Sequence, residues 1–192
     1  MEESRLIQRV KSGDRRAFDD LYEKYKTMLF RSACLLLGNT QDAEDVLQET
    51  FLTAYLHIND LKNEQLFKPW IYRIMMRQIY RISEKKKQEF ADDNIMERAD
   101  SAETERQSRQ DPGESLIRRM EIKTHLEKLP IRQREVLVLY YYNEMTIKEI
   151  AIVLQCMEGT VKSRLHTAKK NMRKAMQEEE LPERNCEVVG HV

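Results

Sequence analysis

The sequence predicts an all-α protein built as two small helical domains joined by a flexible acidic linker. Three observations predict it. Five Gly and four Pro in 192 residues leave little of the turn chemistry an all-β chain requires, and 34% of the residues are charged. Apolar residues recur at three- and four-residue spacing through most of the chain, the period of a helix with one buried face. Between two such regions, residues 92–114 (DDNIMERADSAETERQSRQDPGE) contain only Ile95 and Met96 as large apolar side chains. That stretch buries too little surface to offset the entropy lost on ordering. The expected organisation is therefore a first domain over 1–91, a linker over 92–114, a second domain over 115–176 and an acidic, disordered tail over 177–192.

In the first domain, Ser12-Gly13-Asp14 breaks the chain after a short opening helix. Asp14 can cap the next helix, where Phe18, Leu21, Tyr22 and Tyr25 form an amphipathic stripe. Gly38-Asn39 stops the run Leu29–Leu37, and Asn39 or Thr40 can cap a third helix, with Asp42 and Glu44 near its positive end. In TQDAEDVLQETFLTAY, Ala43, Val46, Leu47, Thr50, Phe51 and Ala54 face one way, while Asp42, Asp45 and Glu49 line another face. A fourth helix begins near Pro69, a residue tolerated in a first turn, and continues through Trp70, Ile71, Ile74 and Met75.

Asp111-Pro112-Gly113 punctuates the start of the second domain. Helices are expected over Leu116–Leu129, closed by Pro130, then Ile131–Tyr142, Thr146–Leu154 and Glu158–Met176. Thr146 followed three residues later by Glu149 has the form of a capping box. The Tyr140-Tyr141-Tyr142 run is read as packing. The short Gln155-Cys156-Met157 connection, with Ile150, Ala151 and Leu154 before it and Val161 and Leu165 after it, suits a helix-turn-helix whose second helix enters a DNA major groove.

Charge supports a polyanion partner. The chain balances 33 basic against 33 acidic residues, but the balance hides segregation. Residues 1–91 hold 16 basic and 14 acidic side chains, 92–114 hold 3 and 8, 115–176 hold 13 and 6, and 177–192 hold 1 and 5. The excess of positive charge in the second domain is sharpest at 159–170, GTVKSRLHTAKK, with four basic residues and no acidic one. With Val161, Leu165 and Ala168 turned to the core, Lys162, Ser163, Arg164, His166, Thr167 and Lys170 are the polar positions. Thr160 lies where exposed backbone N–H groups favour phosphate. Arg164 can fork onto guanine, whereas Lys162, Lys169 and Lys170 suit phosphates. The acidic flanks are expected to limit DNA binding by the free chain.

Other classes find less support. There is no glycine-rich phosphate loop, no HExxH and no nucleophile–base motif, and His57, His125, His166 and His191 lack metal-ligand spacing. No catalytic residue, metal site or cofactor is expected. Cys34, Cys156 and Cys186 are odd in number, without CxxC, which points to a reducing cytosol, with Cys34 and Cys156 in core positions. The charged N-terminus MEESRLIQRV lacks a signal core, and no apolar run approaches the roughly 18 residues of a membrane span. Direct membrane insertion is not expected.

Two stretches carry a resemblance to a known family. LPIRQREVLVLYYYNEMTIKEIAIVLQCMEGTVKSRLHTAKKNMRKAM resembles region 4 of bacterial sigma-70 family sigma factors. LGNTQDAEDVLQETFLTAY resembles region 2.2 of their small extracytoplasmic-function (ECF) branch, and FKPWIYRI resembles the start of the promoter-melting segment that follows it. The resemblance implies a region 2-like bundle and a region 4-like helix-turn-helix in a non-catalytic specificity subunit of a bacterial, cytoplasmic RNA polymerase. It implies that Asp42, Asp45, Gln48, Glu49 and Phe51 dock on the clamp helices of the polymerase's largest subunit. It implies that Phe67, Lys68, Trp70, Tyr72, Arg73, Arg77 and Arg81 read and melt the −10 promoter element, an operation that needs aromatic surfaces and a positive track for the displaced strand. It implies that Thr160, Lys162, Ser163, Arg164, Thr167 and Lys170 face the −35 element, with Arg132, Arg134 and Lys148 near phosphates. An anti-sigma factor is the further partner implied. Many relatives carry Asn at the position of Arg77 and Asp at that of Arg81, so base preference at −10 is not carried over. The residues alone also suit two other classes, a helix-turn-helix regulator that binds duplex DNA unaided and a helical adaptor that binds only protein.

Overall fold

The computed structural model describes residues 2–92 and 122–179, and every regular element among them is helical. Of the linker predicted over 92–114, Asp92 is the last residue of a helix and 93–114 lie outside the described residues, as do the Asp111-Pro112-Gly113 punctuation, the start of the helix expected from Leu116 and the tail beyond Glu179.

Helix α1, Glu2–Lys11, turns Ile7 and Val10 into the core. Gly13, at φ +92°, makes the turn that ends it, a backbone conformation only glycine adopts without strain. Asp14 then caps α2, Arg15–Leu37, by accepting from the Ala17 N–H at 3.3 Å. Ala17, Leu21, Tyr25, Leu29, Ala33 and Leu36 form the buried stripe of α2, in the predicted three/four rhythm. Gly38, at φ +83°, closes α2 by returning its N–H to the Cys34 carbonyl. Asn39, not Thr40, caps α3 (Thr40–His57), accepting from the Asp42 N–H at 2.8 Å. Ala43, Val46, Thr50, Phe51 and Ala54 are buried on the predicted face of α3, and Leu47 is half-buried.

Two 3₁₀ turns, Ile58–Asp60 and Glu64–Leu66, lead into α4, Phe67–Asp92. Helix α4 starts two residues before Pro69, which keeps the proline in the first turn, where its missing N–H costs nothing. Phe67, Ile71, Met75 and Ile79 recur every four residues and are fully buried.

In the C-terminal group, residues 122–127 are helical (α5) and are followed by α6, Ile131–Leu137. The sequence predicts an uninterrupted helix to Tyr142. Instead, Val138–Tyr142 widens into a π-helical turn in which the Val138 carbonyl accepts from both the backbone and the side-chain N–H of Asn143. That widening changes the fate of the tyrosine run. Tyr140 and Tyr141 are exposed, and only Tyr142 packs against the core.

Helix α7, Ile147–Leu154, carries the predicted capping box, with Thr146 Oγ1 accepting from the Glu149 N–H and the Glu149 carboxylate accepting from the Thr146 N–H at 2.8 Å. Thr146→Ala is expected to cost about 1 kcal/mol and lower the melting temperature by several degrees, as thermal unfolding by circular dichroism would register. Gln155, left-handed at φ +51°, makes the turn into α8, Glu158–Glu179. Ile150 and Val153 of α7 and Val161, Leu165 and Ala168 of α8 are buried, so the helix-turn-helix packs as its pattern predicts. Cys34 and Cys156 are half-buried against the core, both as free thiols.

Candidate protein and nucleic-acid interfaces

Three faces gather the side chains that the sequence singles out. The first is on α3. Burial of Ala43, Val46, Phe51 and Ala54 turns Asp45, Gln48 and Glu49 outward, while Asp42 is half-buried beside its cap, its carboxylate accepting from Asn39 Nδ2 at 2.6 Å. The same stripe continues at helical spacing through Leu52, Tyr55 and Leu56, exposed at 53%, 41% and 65%. An acidic beginning thus runs into an apolar end, and exposed apolar side chains in a row mark protein–protein surfaces. Sequence reasoning missed Leu52, Tyr55 and Leu56, although their spacing from Asp45 and Glu49 was the available signal. Phe51, expected at this surface, is 5% exposed and instead packs edge-on to Phe18, so it supports the face from beneath.

The second face lies along α4 and the loop before it. Asp60, Leu61, Lys62, Asn63 and Leu66 of the loop join Trp70 and Arg73 of α4 to line a cleft of about 210 Å³, with Ile152 of α7 as a further wall. Arg73 Nε is buried there without a hydrogen-bond partner. Arg77 and Arg81 are exposed further along α4, one helical turn apart, Arg81 donating to Gln78 at 3.1 Å. The aromatic residues expected to meet DNA here are placed otherwise. Phe67 is 0% exposed and Tyr72 1%, and Trp70, though it lines the cleft, is only 8% exposed. Phe67 belongs to the core because its ring packs between Tyr25 and Trp70, at centroid distances of 5.3 and 5.8 Å. Burial pushes the Tyr72 phenol up to about 12, so it acts as a neutral donor, to Asn143 Oδ1 at 2.5 Å. Lys68 is half-buried, its ammonium donating to the Asn143 carbonyl oxygen at 2.8 Å. The spacing that brings these side chains onto one helix is legible in sequence; the loop residues Lys62 and Asn63 that complete the cleft are not.

The third face is on α8. Lys162, Ser163, His166, Thr167, Lys169 and Lys170 are all exposed, opposite the buried Val161, Leu165 and Ala168, and Thr160 is half-buried in the first turn. Between Thr160 and Met176 the helix carries no acidic residue, its glutamates lying at its two ends, so the arc presents a positive surface. Arg164 sits at the edge of this arc. Its guanidinium donates to Glu135 Oε1 at 3.3 Å, while Arg132 approaches the same oxygen at 3.9 Å. Glu135 is wholly buried, and burial holds its carboxyl above the ordinary range, against the pull of Tyr80, Arg132 and Arg164. Arg134, expected near phosphate, donates to the carbonyls of Leu36, Glu127 and Leu129, whereas Lys148 is exposed.

Among the described residues no cluster of His, Cys, Asp or Glu could hold a metal, and no helix is long and apolar enough to cross a membrane.

Comparison with known proteins places these faces in a family. Residues 21–89 match the Sigma-70 region 2 model, and residues 119–172 match the Sigma-70, region 4 model. The ECF RNA polymerase sigma factor SigW of Bacillus subtilis is 33% identical over 184 residues, covering 90% of this chain and 95% of that protein. The ECF RNA polymerase sigma factor SigL of Mycobacterium tuberculosis is 34% identical over 161 residues, covering 82% and 88% of the two chains. Among solved structures, CnrH, in complex with the cytosolic domain of CnrY, has the same fold at 21% identity, with a TM-score of 0.70 over 93% of this chain and 99% of that one. The sigma factor RpoE of Bartonella quintana, solved with the anti-sigma factor NepR, gives a TM-score of 0.65 at 21% identity, over 82% and 97% of the two chains. With both regions matched in order and full-length relatives at this identity, the chain belongs to the ECF branch of the sigma-70 family of RNA polymerase sigma factors.

Proposed function

We propose that this chain is a dissociable specificity subunit that binds core RNA polymerase and directs promoter-specific initiation in a bacterial cytoplasm. It does no nucleotide chemistry itself; the polymerase supplies that, and this chain supplies promoter choice and strand opening. The labour divides along the sequence, with 1–91 for polymerase binding and the −10 element, 92–114 as connection, and 115–176 for the −35 element. The stripe Asp45, Gln48, Glu49, Leu52, Tyr55 and Leu56 docks on the clamp helices of the polymerase's largest subunit, where its carboxylates meet basic side chains and its apolar end excludes water. The cleft beside Trp70 and Arg73 receives a base drawn from the −10 duplex, and Arg77 and Arg81 track the displaced strand. On α8, Lys162, Lys169 and Lys170 contact phosphates, Ser163 and Thr167 reach base edges, and Thr160 places a helix N-terminus near the backbone. By analogy with RpoE and NepR, an anti-sigma factor is the further partner.

The observation that carries this reading is the pairing of an uncompensated basic face on α8 with an acidic-to-apolar stripe on α3 within one sigma-family chain. A regulator acting alone needs the first and not the second. Transcription by core RNA polymerase on a fragment library of a bacterial genome, with and without this chain, tests it. Starts that require the chain and share upstream −35 and −10 motifs are expected. Specific duplex binding by the chain alone, with no new starts, would replace this reading with that of an independent regulator.

A further inference from the structure

One ammonium group braces the loop that shapes the cleft beside α4. Lys11, the last residue of α1, donates to the Leu61 carbonyl oxygen at 2.6 Å and to Glu64 Oε1 at 2.9 Å. Leu61 closes the first 3₁₀ turn and Glu64 opens the second. Between those two anchors stand Lys62 and Asn63, both exposed and both lining the cleft with Trp70 and Arg73. The loop is thus gripped immediately before and immediately after the two residues it presents.

The grip comes from a rigid side of the molecule. Ile7 and Val10 seat α1 in the core. The chain then turns through Gly13, and Arg9 closes that turn by pairing with Asp14 at 2.8 Å while its carbonyl accepts from the Asp14 N–H. Lys11 therefore leaves a fixed stretch of backbone. Its side chain is 22% exposed and that of Glu64 25%, so neither is a freely solvated charge. The Lys11 ammonium holds the Glu64 carboxyl below its ordinary range, which makes the contact one between full charges at neutral pH. Asn63 is held in turn, its Oδ1 accepting from the Gln65 N–H at 3.0 Å.

We propose that Lys11 is a positioning residue for base selection: by bracing Leu61 and Glu64 it fixes where Lys62 and Asn63 stand, and so sets which unstacked base the cleft prefers. The inference rests on the reading of this cleft as the seat of a −10 base. Selection among bases depends on where hydrogen-bonding groups stand against the edge of the base, and a misplacement of about 1 Å is enough to lose it. The three residues that join the 3₁₀ turns form no regular helix that would supply such precision. Lys11 supplies it from α1 without lining the cleft itself. A pair that served stability alone would need only the Glu64 carboxylate. The second bond, to the Leu61 carbonyl, ties the ammonium to the path of the loop backbone.

Two variants test this in the full chain bound to core RNA polymerase: Lys11→Met, which keeps most of the stem and deletes the ammonium, and Glu64→Gln, which keeps the shape and removes the charge. Arg9→Ala is the control, since it breaks the pair with Asp14 at the same end of α1 and leaves the loop's own contacts in place. Fluorescence titration on fork-junction DNA with a single-stranded −10 element, carrying each of the four bases at each position in turn, gives the affinities, and circular dichroism checks folding. At the position the cleft reads, the wild type is expected to prefer its best base over its poorest by about 10- to 100-fold. Lys11→Met is expected to cut that preference about tenfold and Glu64→Gln about threefold, with the other positions and the salt dependence unchanged. If Lys11→Met fails to fold, the Glu64→Gln result decides by itself. Folded variants that keep the wild-type preference would overturn the proposal. So would a uniform loss of affinity with the salt slope flattened by about 0.7–0.9, which would make Lys11 a phosphate contact. The same loss of preference in Arg9→Ala would also refute it, because the effect would then follow from weakening α1 in general. A wild type without base preference at any −10 position would instead overturn the reading of the cleft beneath the proposal.

Discussion

Phe67→Ala is expected to lower the unfolding free energy by about 3–5 kcal/mol, one of the largest effects available from a single substitution in this chain. Phe67 is the first residue of α4 and wholly buried, its ring held against Tyr25 of α2 and Trp70 of α4. Removing it leaves a cavity at the point where α2 and α4 meet the loop that lines the cleft, and that cavity cannot collapse without moving Trp70. Urea unfolding followed by circular dichroism would measure the loss. Arg77→Ala, exposed on the same helix, is the control and should stay within about 0.5 kcal/mol of wild type. The comparison also separates two roles for Phe67. A DNA-stacking residue would lose strand opening at unchanged stability; a core residue loses stability first, and strand opening only as the fold fails. A Phe67→Ala variant as stable as wild type and defective only in promoter melting would restore the surface role that its burial argues against.

What was legible in the sequence follows the physics of each element. Caps and breaks were legible because they are local: Asp14, Gly38, Asn39 and the Thr146/Glu149 box act through atoms within four residues of themselves. Core faces were legible because a helix repeats every 3.6 residues, so Val161, Leu165 and Ala168 fell together. Aromatic residues were harder. Phe67 and Tyr72 carry the chemistry that stacking on a base requires, and Phe51 the apolar surface a protein contact requires, but the same rings are the largest payload a core can bury, and spacing along one helix does not say which neighbour covers them. The π turn at Val138–Tyr142 was not legible at all, because it depends on Asn143 reaching Ser32 and Tyr72, more than 70 positions away in the chain. The cleft was half legible: Trp70 and Arg73 sit on a periodic helix, while Lys62 and Asn63 sit in a loop whose path is set by 3₁₀ turns and not by any period.

On α8, lysines and the arginine should part company under mutation. Lys162, Lys169 and Lys170 are exposed on the face opposite the core. Replacing all three by Ala is expected to weaken promoter binding at every sequence tested, without changing which promoter is chosen. Each phosphate contact contributes about 0.9 to the slope of log affinity against log salt, so the triple variant should flatten that slope by about 2.7. Between 50 and 200 mM salt, a fourfold range, that difference corresponds to roughly 40-fold in affinity. Arg164→Ala should behave differently. Its guanidinium already has a partner in the buried Glu135, so its removal takes one of two arginines from a carboxylate with no access to water. Loss of stability is therefore expected alongside any loss of discrimination, which for a guanine-reading fork is about 1–3 kcal/mol at a single base pair. Titrations of the polymerase-bound chain on the parent promoter and on single-base variants, each at three salt concentrations, separate the two. If the lysine variant kept the wild-type salt slope, α8 would not be the DNA face and the positive arc would be only a solvated surface. If Arg164→Ala relaxed one promoter position and left the melting temperature unchanged, the contact with Glu135 would be one that DNA displaces, and Arg164 would join Ser163 and Thr167 among the residues that read bases.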